Sequence, residues 1–106
     1  MCSAIEVLYY RRPDGRIPFE EWLSGLRDER SRVVVVSRMA RLRSGNFGHV
    51  RSVGRGVCEL KIDFGPGFRV YFARMGRFVV LLLCGGDKSS QEMDIRQAQE
   101  FWGSIR

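Results

Sequence analysis

The chain is expected to fold as an α+β domain. It should form one unit over residues 1–106, with a mostly antiparallel sheet of four to five strands, two helices near the N-terminus and one at the C-terminus. Three observations predict this. Two strand-like runs, 57–62 and 68–73, flank the short turn Asp63-Phe64-Gly65-Pro66-Gly67, which makes an antiparallel hairpin. A third run, 78–84, is apolar throughout and lacks proline, as in a strand covered on both faces. Apolar residues at helical spacing precede and follow this strand-rich half.

Residues 5–10 read as the first strand, with Ile5, Val7 and Tyr9 alternating against Glu6 and Leu8. Arg11-Arg12-Pro13-Asp14-Gly15 is turn-forming. Pro18 suits the first turn of a helix, Glu20 and Glu21 complement its positive end, and Phe19, Trp22, Leu23 and Leu26 form its apolar stripe. Gly25 marks the end of this short helix. A second helix is expected over about 28–44, stopped by Gly45-Asn46. The valine run 33–36 would also suit a strand. The spacing of Val33, Val36 and Ala40, joined by Met39 and Leu42, favours a helix with those residues inward and Arg30, Arg38 and Arg41 opposite. Residues 47–55 form a glycine-punctuated loop with a short strand near 50–53. After the hairpin and the apolar strand, Gly85-Gly86-Asp87-Lys88 leads into a final helix. Ser89 and Glu92 form a capping-box pattern there, and Ile95, Ala98, Phe101 and Trp102 face inward.

The net charge is +6, carried almost wholly by arginine, with Lys61 and Lys88 the two lysines. Arginine suits bidentate contact with phosphate, so the balance favours a nucleic acid or an acidic protein as partner. The cysteines Cys2, Cys58 and Cys84 match no metal spacing and are read as reduced thiols in a cytoplasmic protein. Residues 1–10 lack the basic start and apolar stretch of a signal peptide. The longest apolar run is far too short to span a bilayer, so no membrane association is expected. No metal or cofactor site is expected, and no nucleotide-binding loop is present.

The hairpin carries the clearest chemical signal. Alternation places Cys58, Leu60, Ile62, Phe68, Val70 and Phe72 on one face and Glu59, Lys61, Arg69 and Tyr71 on the other. A carboxylate, an ammonium, a guanidinium and a phenol together can hold a phosphate and move a proton beside it. The plainer reading is the wet face of a half-buried sheet. Likewise the Arg30, Arg38 and Arg41 stripe can track a phosphate backbone or simply be a solvated helix face. His49, the sole histidine, falls in the loop region and reads as a surface residue. Lys88 is a cation just before a helix N-terminus, where capping does not explain it.

Together Phe19-Glu20-Glu21-Trp22-Leu23, Gly56-Val57-Cys58-Glu59-Leu60-Lys61, Gly65-Pro66-Gly67-Phe68-Arg69-Val70-Tyr71 and Gly85-Gly86-Asp87-Lys88-Ser89-Ser90-Gln91 resemble the RelE/ParE toxin superfamily. The resemblance is to its HigB-like, phage-derived addiction module killer branch and spans about residues 17–102. It implies a bacterial type II toxin with a microbial-ribonuclease-like fold, an antitoxin partner of helix-turn-helix type, and cleavage of mRNA on the translating ribosome. ParE-like members share the fold but inhibit DNA gyrase, and a phage-derived remnant would bind without chemistry. In ribonuclease members, basic residues of the central strands and near the C-terminal helix hold and cleave RNA. Lys61, Arg69 and Lys88 occupy matching positions. Several relatives carry a histidine or tyrosine after the last strand, and this chain has neither there. The expected mechanism is metal-independent: Arg69 on the phosphate oxygens, Lys61 and Lys88 as further charge and proton donors, Glu59 as base and Tyr71 as a positioning donor. Arg30, Arg38 and Arg41 would bind the RNA.

Overall fold

In the structure, a computed structural model that describes residues 4–105, strand β1 (Glu6–Tyr9) leads to helices α1 (Pro18–Gly25) and α2 (Glu29–Arg43). Strands β2 (His49–Ser52), β3 (Val57–Ile62), β4 (Phe68–Arg74) and β5 (Val79–Gly86) follow, then a 3₁₀ turn at Lys88–Ser90 and helix α3 (Gln91–Ile105). One five-stranded sheet has the order β1-β5-β4-β3-β2. The last four strands are joined antiparallel, in sequence, by short turns. β1 returns along β5 in parallel, because the two helices between β1 and β2 carry the chain across the sheet. The expected α+β class, with its mostly antiparallel sheet and two-plus-one helices, is what forms.

The β3–β4 hairpin shows how local chemistry sets the frame. Gly65 and Gly67 take φ of 57° and 80°, and the Gly67 N–H donates to the Phe64 carbonyl at 3.1 Å, so the turn needs residues tolerant of left-handed backbone. Alternation then sorts the two faces. Leu60, Ile62, Phe68, Val70 and Phe72 join Phe19, Val35, Met39 and Leu42 in a core beneath α1 and α2. Val57, Tyr71 and Ala73 join Leu81, Leu83, Cys84 and Ala98 in a second core beneath α3. The sheet is thus covered by helices on both faces.

A bulge on β5 opposite Tyr71 and Phe72 pairs them with Cys84 and Leu82, leaving Leu83 as the extra residue. Leu83 and Cys84 consequently both face α3. The shift also turns Gly85 towards Trp22 of α1 and Gly86 towards Asp94 of α3. β5 extends through Gly86, two residues past the apolar run.

Three local expectations change. The inward face of α2 is Ser31, Val35, Met39 and Leu42, whereas Val33 is 60% and Val36 51% exposed and Ala40 is also exposed. At 100° per residue Val35, Met39 and Leu42 fall within an arc of about 60°, and a run of four valines necessarily wraps past it. Arg38 lies at the edge of that inward arc rather than opposite to it: it is half-buried, with its guanidinium against Gly48, while Arg30 and Arg41 stay exposed. The cap before α3 is Asp87, whose carboxylate accepts from Ser89 N at 2.8 Å and from Ser89 Oγ at 2.5 Å, because a 3₁₀ turn precedes the helix. Ile95, Phe101 and Trp102 pack inward with Ala98 as expected. Cys2 lies outside the described residues, and Cys58 and Cys84 are free thiols. Among the described residues no helix is long and apolar enough to cross a membrane.

Candidate anion-binding site on the sheet

Four aligned strands place the polar hairpin residues in two cross-strand rows on the face toward α3. One row runs His49, Lys61, Arg69, Gly86, and the next runs Arg51, Glu59, Tyr71, Cys84. Directly opposed residues have Cβ atoms about 5 Å apart, so the side chains of each row stand side by side. A cleft of about 320 Å³ opens over both rows, lined by His49, Val50, Arg51, Glu59, Lys61, Arg69 and Gln91.

The second row is support. Glu59 is 3% exposed, and its two oxygens accept three hydrogen bonds. Arg51 Nε donates to Oε1 at 2.8 Å, and Tyr71 Oη and Gln91 Nε2 donate to Oε2 at 3.0 and 2.8 Å. Burial pushes the Glu59 carboxyl up, but these three donors and the Arg51 charge outweigh it and hold the group below the ordinary carboxylate range. Tyr71 is fully buried, and burial together with the neighbouring Glu59 charge drives its phenol far above the usual range. At Glu59 and Tyr71 this face is therefore not the wet side of a half-buried sheet: α3 covers them, and Gln91 at the start of α3 is tied to Glu59.

The first row is left open. Arg69 is 7% exposed and lines the cleft. Its Nη1 donates to the Gly67 carbonyl at 2.7 Å, and its Nε is buried with no partner among the described residues. The Asp87 carboxyl is held below its ordinary range first by its Ser89 hydrogen bonds and in part by the nearby Arg69 charge, so this buried cation already has an anion in its vicinity. Lys61 is exposed, with its ammonium 3.6 Å from the exposed Asp63 carboxylate. Gly86 ends the row without a side chain, and a Cβ there would strike the Asp94 carboxylate, which accepts from Ser90 Oγ at 2.5 Å.

Of the residues singled out from the sequence, Glu59, Lys61, Arg69 and Tyr71 come together. Lys88 is exposed at the head of the 3₁₀ turn and does not line the cleft. Arg30, Arg38 and Arg41 belong to α2, in the layer on the opposite side of the sheet. Three cleft residues were not anticipated. His49 belongs to β2 and not to a loop, and Arg51 and Gln91 join Glu59. The signal for the first two was Val53-Gly54-Arg55-Gly56: as a hairpin turn it sets His49 opposite Lys61 and Arg51 opposite Glu59. Arg38 Nε is likewise buried without a partner among the described residues, but on the α2 side. No three His, Cys, Asp or Glu side chains among the described residues lie together as a metal site requires.

The fold and site define a small α+β domain with a preformed cationic cleft on one sheet face. The chain is 47% identical over 83 residues to a protein of Haemophilus influenzae described as an uncharacterized protein, covering 78% of this chain and 84% of that one. It belongs to the same family as that protein. No family model matches the chain, and no solved structure matches it.

Proposed function

We propose that this protein is a HigB-like toxin of the RelE/ParE superfamily, acting as a metal-independent endoribonuclease on mRNA at the translating ribosome. The observation that carries the reading is the cleft lining: Arg69, a nearly buried guanidinium, lines it together with Lys61, Arg51 and His49. Such a set fits a phosphodiester, whose charge grows as the 2′-oxygen attacks phosphorus and the 5′-oxygen leaves. Arg69 and Lys61 hold the phosphate oxygens, and Lys88 adds charge at the rim. Tyr71 and Gln91 keep Glu59 in place, and Glu59 in turn orients Arg51. Arg30, Arg38 and Arg41 extend the electrostatic footprint on the other layer. A cytoplasmic location and a helix-turn-helix antitoxin complete the reading.

The test is induction in bacteria with mapping of transcript ends, comparing the parent with Arg69→Ala. In-frame cuts by the parent, reduced about a hundredfold to a thousandfold in the variant, support the assignment. DNA-damage signalling without new transcript ends would instead point to a gyrase inhibitor.

A further inference from the structure

Helix α2 carries two stripes. One, with Val35, Met39 and Leu42, is buried against the sheet. The other is Glu29, Val33, Val36 and Ala40, all exposed, with Val33 at 60% and Val36 at 51%. Its steps of four, three and four residues are the spacing of a coiled-coil seam, and its members fall within an arc of about 60°. A hollow of about 450 Å³ lies on this stripe, lined by Glu29, Arg32, Val33, Val36 and Ser37. The first four of these stand at i, i+3, i+4 and i+7, the set that forms the hole for a knob from a partner helix. Exposed valines give a phosphate backbone nothing to bind, so the arginines of this layer do not account for them.

We infer that this stripe is a homodimer interface, α2 of one chain packing antiparallel on α2 of a second copy across a two-fold axis. The stripe is self-complementary in that direction. With the axis between residues 34 and 35, Val33 stands level with the partner's Val36, and Val36 with the partner's Val33. Glu29 stands level with the partner's Ala40 and about one turn from the partner's Arg43, so a carboxylate meets a guanidinium at each end. Arg43 is exposed, and one of its N–H groups donates to the Tyr9 hydroxyl at 3.0 Å. A parallel pairing would instead set Glu29 against Glu29 and Arg43 against Arg43. Ser37 and Ala40 are small and let the axes approach to about 8–10 Å. Helix α2 has 15 residues and is about 22 Å long, so it buries less than the roughly 800 Å² per partner of a standard interface. Two chains of net charge +6 also repel. The dimer is therefore weak, with a Kd of about 10–100 μM, and salt tightens it by screening the repulsion. The cleft lies on the other side of the sheet, so association leaves both clefts open.

The test is sedimentation equilibrium of the full chain, free of nucleic acid, from about 1 μM to 1 mM. The mean mass of the parent should rise from that of one chain towards that of two. Val36→Asn should weaken association at least about tenfold, since it sets a polar group against the partner's Val33. Glu29→Arg should also weaken it, and Glu29→Arg combined with Arg43→Glu should restore it. All these positions are exposed, and circular dichroism checks that the variants fold. A parent that stays a single chain throughout overturns the proposal, and so does a dimer that Val36→Asn leaves at the parent's strength. A dimer that Val36→Asn weakens but the double charge reversal does not restore overturns the antiparallel register.

Discussion

Glu59 is the residue on which the supporting row depends. Replacing it with glutamine keeps the shape but turns one acceptor oxygen into an N–H donor, which must then face Arg51 or the Tyr71 and Gln91 donors. Leaving buried donors unmatched costs about 1–3 kcal/mol. The pH dependence has a definite sign. The folded-state pKa lies below the ordinary carboxyl value, so the stabilisation by Glu59 is present above the unfolded pKa and is lost as pH falls through the folded one. Thermal melts of the parent and Glu59→Gln should differ most at neutral pH, and the gap should narrow progressively as pH falls below the ordinary glutamate value of about 4.3. A gap that stays constant down to pH 3 would show that the ionised carboxylate is not what holds the row. Cys84 behaves oppositely as a chemical group: burial, then the Asp94 charge, pushes its thiol to about 12. It should therefore resist alkylation at pH 8 in the folded protein and react only on unfolding, which mass spectrometry after iodoacetamide treatment would reveal.

At the level of elements, the contact between β5 and α1 is set by one glycine. The bulge turns Gly85 towards Trp22, and a Cβ built there would overlap the indole ring. Gly85→Ala must displace Trp22, which itself packs on Phe19 and Phe68 with ring centroids 5.8 and 6.0 Å away. Overpacking of this kind costs about 1–3 kcal/mol. Gly103 is the contrast: it sits inside α3 with nothing near its missing Cβ. Gly103→Ala should gain about 0.5–1 kcal/mol through helix propensity and a less flexible unfolded chain. Urea denaturation of the two variants checks both signs, and a Gly85→Ala protein as stable as the parent would mean that the sheet and α1 do not approach as closely as described.

Over the whole molecule, positive charge lies on two layers. The cleft sits on the α3 side of the sheet, and the exposed Arg30 and Arg41 sit on the α2 side. With a net charge of +6, binding of single-stranded RNA should weaken steeply with salt. If the α2 stripe contacts the same strand, replacing Arg30 and Arg41 together with alanine lowers the log–log salt slope by about 1.4, at about 0.7 per phosphate. An unchanged slope would assign that layer to a protein partner instead. Cleavage should also survive excess chelator and leave 2′,3′-cyclic phosphate or 3′-phosphate ends, since Arg69 and Lys61 supply the charge in the proposed mechanism. Chelator-sensitive cutting that leaves 5′-phosphate ends would overturn that chemistry without touching the fold.

Alternation along the chain is enough to say which hairpin residues share a face. Glu59, Lys61, Arg69 and Tyr71 were assigned to one side because alternation along a strand is a local property with a period of two. Local signals also set the ends of α1 and α2 to within a residue or so, through Pro18, Asp28 and the Gly45 stop, since caps and breakers act over a few residues. What those faces meet is a property of the assembled fold. That α3 covers the polar side and buries Glu59 and Tyr71, that β2 adds His49 and Arg51 to the rows, and that Val35 rather than Val33 or Val36 turns inward all depend on packing between segments distant in the chain. Alternation and helical periodicity say which residues face together. Register and layer are chosen by long-range pairing and burial, and those are energies of the whole fold rather than of any single stretch.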